Sequence, residues 1–229
     1  MSSDTGFLYP FLEAEERDAD RLLADLAESA RAKAAESAAL RRRTLAECAG
    51  LIETAAAEMA RRFAAGGRMY VFGNGGSATD AATLAALFAR PPAAEPAAEG
   101  VRPLPAWSLA ADEAVVTALG NDVGFDLIFS RQLIARARDG DIAVALSTSG
   151  NSADLTTALA EARRRGLYTI GFAGYDGGAF AAEGTVDACF VVRSQSVHRI
   201  QESQALLGHR LWAAVQRHLA ARHNGGGPR

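Results

Sequence analysis

Cysteine is almost missing from this chain, with Cys48 and Cys189 the only two among 229 residues. No apolar segment follows a basic start either, so nothing calls for an oxidising compartment, and a cytoplasmic protein is expected. Long hydrophobic runs are also lacking: no stretch approaches the ~20 uninterrupted apolar residues of a spanning helix, which excludes a helical membrane protein. Positive charge is not in excess. A formal charge of -3 and a pI near 5.8 give no general attraction for phosphodiester backbones, so nucleic acid is not an expected ligand. The arginine runs at 41–43 and 163–165 lie in helical patterns with acids nearby and read as solvated helix faces. Proline is sparse and concentrated. Five of the seven prolines, Pro91, Pro92, Pro96, Pro103 and Pro105, fall in one stretch that cannot continue a helix and reads as a surface loop.

What remains is ordinary for a globular protein, with 49% hydrophobic and 22% charged residues, and the length suits one α/β domain with helical decoration. From Leu8 to Phe63 apolar positions recur at three and four: Leu8, Phe11 and Leu12, then Leu22, Leu23 and Leu26, later Leu45, Cys48, Leu51, Ile52 and Met59. This predicts a helical hairpin over 1–65, part of the same domain and used for oligomerisation. At Gly66 the period changes. Short apolar runs then alternate with helical patterns, the signature of a parallel sheet, and place five strands at 68–73, 105–109, 142–147, 168–172 and 188–192. The expected architecture is a five-stranded parallel sheet flanked by helices, a flavodoxin-like three-layer sandwich over 66–222, with a flexible tail at 223–229.

Two turns carry chemistry. The first strand runs through Gly73, Asn74, Gly75 and Gly76 to Ser77 and straight into a helix, so glycines sit where backbone must approach a ligand closely at a helix N-terminus. The third strand ends in Ser147, Thr148, Ser149, Gly150, Asn151 and Ser152 before another helix, bringing four hydroxyls and free N–H groups toward one point. Each turn alone is compatible with simple capping. Together, at the carboxyl ends of parallel strands, they predict an anion site, and phosphate oxygens suit it. No Lys follows the glycines and no G-x-G-x-x-G spacing occurs, so nucleotide binding is disfavoured.

The glycine turn of 73–77, the runs Ala118-Leu119-Gly120-Asn121-Asp122 and Phe129-Ser130-Arg131-Gln132, the serine run of 147–152, Asp176-Gly177-Gly178 and Arg199-Ile200-Gln201-Glu202 follow one another in a familiar order and spacing. In this the chain resembles the sugar isomerase (SIS) family, in its phosphoheptose isomerase branch, over about 68–212 and, through the leading helices, over nearly the whole length. The resemblance implies aldose-ketose isomerisation of sedoheptulose 7-phosphate in a homotetramer with interfacial active sites. It further implies that Ser77, Ser147, Thr148, Ser149 and Ser152 hold the phosphate, together with the backbone at Gly75, and that Asn74 and Asp122 meet the sugar.

The same resemblance implies a catalytic Glu, with a His four residues before it, joined by a Gln and a His from the last helix around zinc. Those first two positions hold Leu87 and Thr83, whereas Gln201 and His209 match the second pair. A leucine cannot abstract a proton, and glutamate is absent from 77–94. Zinc sites use at least three protein ligands, so Gln201 and His209 form an incomplete metal site and no cofactor is expected to be required. Isomerisation needs a base beside the carbonyl and an acid for the enediol. His209 and His198 are the candidates, with Glu202 and Glu113 as weaker substitutes. The alternative is a catalytically inactive sugar-phosphate sensor or a protein-binding adaptor on the same fold. An oligomeric scaffold without ligand fits the helices but leaves the serine run unexplained.

Overall fold

A computed structural model describes residues 19–92 and 101–224. The chain divides into two compact units, Met1–Ala39 and Leu40–Arg229. The expected hairpin is replaced by one helix, α1, Ala19–Ala64, of 46 residues. The gap in the apolar stripe between Leu26 and Leu40 looks like a break in the sequence, but residues 27–44 contain no Gly, Pro, Asn or Asp and are rich in alanine. Nothing there can turn the chain, and propensity carries the helix through. Leu8, Phe11 and Leu12 lie outside the described residues. Within the first unit Leu22, Leu23 and Leu26 are exposed. From Leu40 onward the stripe is buried through Leu40, Cys48, Ile52, Ala56, Met59 and Phe63, so the second unit starts inside the helix rather than at Gly66.

The second unit is built on five parallel strands: β1 Met69–Gly73, β2 Ala106–Ser108, β3 Ile142–Leu146, β4 Tyr168–Gly174 and β5 Ala188–Val192. Their order is β2-β1-β3-β4-β5. The five expected strands are all present, within two residues at each end. Alternate side chains go to opposite faces. Met69, Val71, Ile142, Val144, Ile170, Phe172 and Phe190 pack with α1, α2 (Gly76–Ala89) and α6 (Val197–Asn224). Tyr70, Phe72, Ala143 and Ala145 pack with α4 (Ile128–Arg136) and α5 (Ala153–Arg164). Both faces of the central strands β1 and β3 are therefore dry, which is why they read as continuous apolar runs, whereas edge strand β2 leaves Trp107 exposed.

Helix α3 (Glu113–Asp122) follows β2 and is capped by Asp112, whose Oδ1 accepts from Val115 N at 3.1 Å. Of the proline-rich loop, 93–100 lie outside the described residues. Its far end is tied to α6 and α2: Arg102 N donates to Gln216 Oε1 of α6 at 3.2 Å, Gln216 Nε2 donates to Arg102 O at 2.9 Å, and Leu104 N donates to Phe88 O of α2 at 2.8 Å. At the other end of the chain α6 continues to Asn224, and 225–229 lie outside the described residues. The arginine runs behave as surface features: Arg164 and Arg165 pair with Glu161, and Arg163 with Asp187.

One polar link joins the two turns that matter for function. Asn74, just past β1, donates through Nδ2 to both carboxylate oxygens of Asp154 in the first turn of α5, at 3.1 and 2.8 Å. Asp154 is 3% exposed, and burial pushes its carboxyl above the usual range while the Asn74 amide pulls it back. The folded-state pKa is therefore raised, so the ionised form disfavours the native state as pH rises through it. Asn74→Ala removes the side-chain amide that bonds both oxygens of the buried carboxylate and leaves it only backbone donors. It should cost about 1–3 kcal/mol near pH 7, and less at pH 4.5, where protonation relieves the demand. Urea unfolding at the two pH values measures this; an equal loss at both contradicts it.

Candidate functional site

Because β1 lies between β2 and β3, the chain leaves the carboxyl ends of β1 and β3 in opposite directions along the sheet, and a crevice opens where ligands of such folds bind. Gly73 is paired with Leu146, so the glycine turn and the serine turn emerge side by side. Helix α2 starts after Gly75, at φ 54° and ψ -125°, with no side-chain cap. Ser77 is buried there, and its hydroxyl has no protein partner among the described residues.

The serine turn is held from within and from β4. Ser147 N donates to Phe172 O at 2.9 Å, and Ser147 Oγ accepts from Gly150 N at 2.9 Å. Ser149 Oγ accepts from Asn151 N at 3.3 Å. Gly150 has φ 69°, and a Cβ there would run into the carbonyl of Gly177, so only glycine fits. Gly174 N donates to Thr148 O at 3.0 Å, Phe180 N to Gly150 O at 3.2 Å, and Ala179 N to Asn151 Oδ1 at 2.8 Å. Ser152 occupies the N-cap of α5 without making a side-chain cap bond. Among the described residues the hydroxyls of Thr148 and Ser152 have no protein partner, which leaves them and the α5 N-terminus available to an anion. Ser147 Oγ accepts within the turn and keeps its own O–H to donate.

Helix α6 closes the other side. Gln204 Nε2 donates to Ser147 O at 2.8 Å, and its Oε1 is buried without a partner. Gln201 Nε2 lies against Gly76, 2.5 Å from where a Cβ would stand. Between α2 and α6 is a crevice of about 60 Å³, bounded by Asp80, Thr83, Leu87, Leu146, Gln204 and His209. Larger hollows, about 440 and 410 Å³, lie by Arg68 and Arg138 at the amino ends of β1 and β3, away from both turns. The small one is the relevant one, since Leu146 and Gln204 connect it directly to the serine turn.

The expected residues are distributed as follows. His209 reaches the crevice at an exposed position, its ring 5.3 Å from that of Trp212. His198 sits exposed in the first turn of α6, eleven residues earlier, which is about 16 Å along the axis, and is not brought to the crevice. Asp122 is exposed at the end of α3 and accepts from Asn121 Nδ2 at 2.7 Å. Glu202 and Glu113 are also exposed. Two residues escaped the sequence reading. Asp154 supports Asn74, and Asp80 faces the crevice with Oδ2 buried and unpartnered. The spacing of Asp80, Thr83 and Leu87 at i, i+3 and i+7 already placed all three on one helix face.

The residues present do not fit zinc. The Thr83 hydroxyl donates to Thr79 O at 3.0 Å, Leu87 offers no donor atom, and Gln201 turns its amide nitrogen to Gly76. Among the described residues no group of three or more His, Cys, Asp or Glu could hold a metal ion.

Residues 34–174 match the model of the SIS domain. The phosphoheptose isomerase of Rhodospirillum rubrum is 42% identical over 172 residues, covering 75% of this chain and 88% of the relative. That of Solidesulfovibrio magneticus is 40% identical over 190 residues, covering 80% and 86%. The solved phosphoheptose isomerase GmhA from Neisseria gonorrhoeae superposes with a TM-score of 0.75 at 34% identity, over 84% of this chain and 99% of that one. No described helix is long and apolar enough to cross a membrane. Fold, turns and likeness converge: the chain belongs to the SIS domain family, among the phosphoheptose isomerases.

Proposed function

We propose that this protein interconverts the ketose and aldose forms of sedoheptulose 7-phosphate or a similar sugar phosphate, without a required metal. The observation that carries this is the prepared anion cradle. Thr148 and Ser152 present unpartnered hydroxyls beside the uncapped start of α5, next to Ser77 at the start of α2. A phosphate held there directs the sugar chain past Gln204 toward the crevice under Leu87 and His209. His209 supplies the acid, and His198 could serve only from a neighbouring subunit, being remote from the crevice in its own chain. The protein works in the cytoplasm as a homotetramer, and the exposed side of the crevice, at Thr83 and His209, is where a second subunit would complete it. The relatives of known name support the substrate, since they are phosphoheptose isomerases.

Leu87 and Thr83 favour a second reading, a sugar-phosphate sensor or adaptor that keeps the cradle, binds a protein partner and has lost turnover. NMR of concentrated protein with sedoheptulose 7-phosphate separates the two: aldose formation supports the enzyme, whereas thermal protection by the sugar without turnover supports the sensor. Two further outcomes are expected for the enzyme. Ser152→Ala should raise KM about tenfold or more by removing one hydrogen bond to a charged phosphate, with a smaller change in kcat. A strong chelator should leave turnover within about twofold, and its abolition, restored by zinc, would show that the ligands include groups from another subunit.

A further inference from the structure

Leu87 leaves the site without its expected base, yet a carboxylate does reach the crevice. Asp80 lies two turns before Leu87 on the same face of α2, and its Oδ2 is shut off from solvent with no hydrogen-bond partner among the described residues. No Lys, Arg or His pairs with it among the described residues. Native proteins rarely leave a buried carboxylate oxygen unsatisfied, because the desolvation cost is not recovered. Such an atom finds its partner in a ligand or in its own proton. The remaining walls are mostly apolar, with Leu84, Leu87 and Leu146 around it and His209 on the facing helix.

Resting on the isomerase reading above, the geometry points to Asp80 as the group that moves the substrate's carbon-bound proton in this protein, in place of the residue that position 87 lacks. The Asp80 carboxylate takes a proton from C1 of the ketose. The C–H electron pair becomes the C1–C2 double bond, and the C2 carbonyl oxygen receives a proton from His209, giving the enediol. Asp80 then returns its proton to C2, the C1 hydroxyl gives its proton back to His209, and the C1 oxygen becomes the aldehyde. No oxidant or co-reactant is needed. Burial pushes the Asp80 carboxyl upward, which is the direction that makes a carboxylate a better base near neutral pH.

The test is exchange of solvent deuterium into C1 of sedoheptulose 7-phosphate in D2O, followed by NMR, with the full-length protein and Asp80→Asn. The substitution preserves shape and removes an unpaired charge. Asp80→Ala with added formate serves as the second variant, since a small carboxylate can enter the vacated space. The expected result is at least about a 100-fold loss of exchange and of kcat in Asp80→Asn with KM within about threefold, and recovery of Asp80→Ala by formate. Exchange retained within about threefold in folded Asp80→Asn overturns the assignment while leaving the isomerase reading intact. Absence of exchange in the unsubstituted protein, with sugar phosphate still bound, overturns both.

Discussion

The pairing of β1 with β3 is the constraint on which the site depends. Five consecutive residues, Met69 to Gly73, lie in parallel register with Ile142 to Leu146, and the chain departs toward opposite ends of the sheet from these two neighbours. The placement of both turns is set by that seam. It puts the glycine turn and the serine turn at one level, aims the starts of α2 and α5 into the same space, and lets Asn74 of one turn reach Asp154 behind the other. Glycine at 73 is what allows the approach, since a Cβ there would stand 2.7 Å from Leu146 O. A slip of one residue would exchange the two faces of β1 and bury its outward set against the wrong helices.

Where residues obey one physical rule, the sequence was readable. The central strands are buried on both faces and so appear as unbroken apolar runs; the two turns carry glycines at positions that need them and hydroxyls at helix starts. Other features depend on partners far along the chain. Asn151 looks like a cap or a ligand contact, but its Oδ1 is spent on Ala179 N, 28 residues on. Ser147 belongs to the serine run by composition and to the scaffold by its bond to Gly150 N. The hairpin is an error of a different kind. An interruption of the apolar stripe resembles a turn, yet 27–44 contain no Gly, Pro, Asn or Asp to favour one over the helix. Asp80 was in view throughout, on a helix face already defined by Thr83 and Leu87.

Thr83 and Leu87 shape the crevice in the same direction. A threonine whose hydroxyl is returned to its own helix and a leucine make that wall apolar. An apolar wall lowers the local dielectric, which weakens the ionised form of any acid beside it and strengthens each hydrogen bond that a substrate makes there. The apolar wall at Thr83 and Leu87 and the unpartnered oxygen of Asp80 thus belong to one electrostatic environment.

The bonds from the β4 turn to the serine turn have a consequence for binding. Gly174 and Phe180 hold the carbonyls of Thr148 and Gly150, and Ala179 holds the side chain of Asn151, before any ligand arrives. The conformational entropy of ordering the cradle is therefore spent during folding, and an incoming phosphate need not supply it. Fold stability and any affinity of the turn for an anion thereby become linked: whatever loosens residues 174–180 restores freedom to the turn, with each of its hydroxyls unchanged.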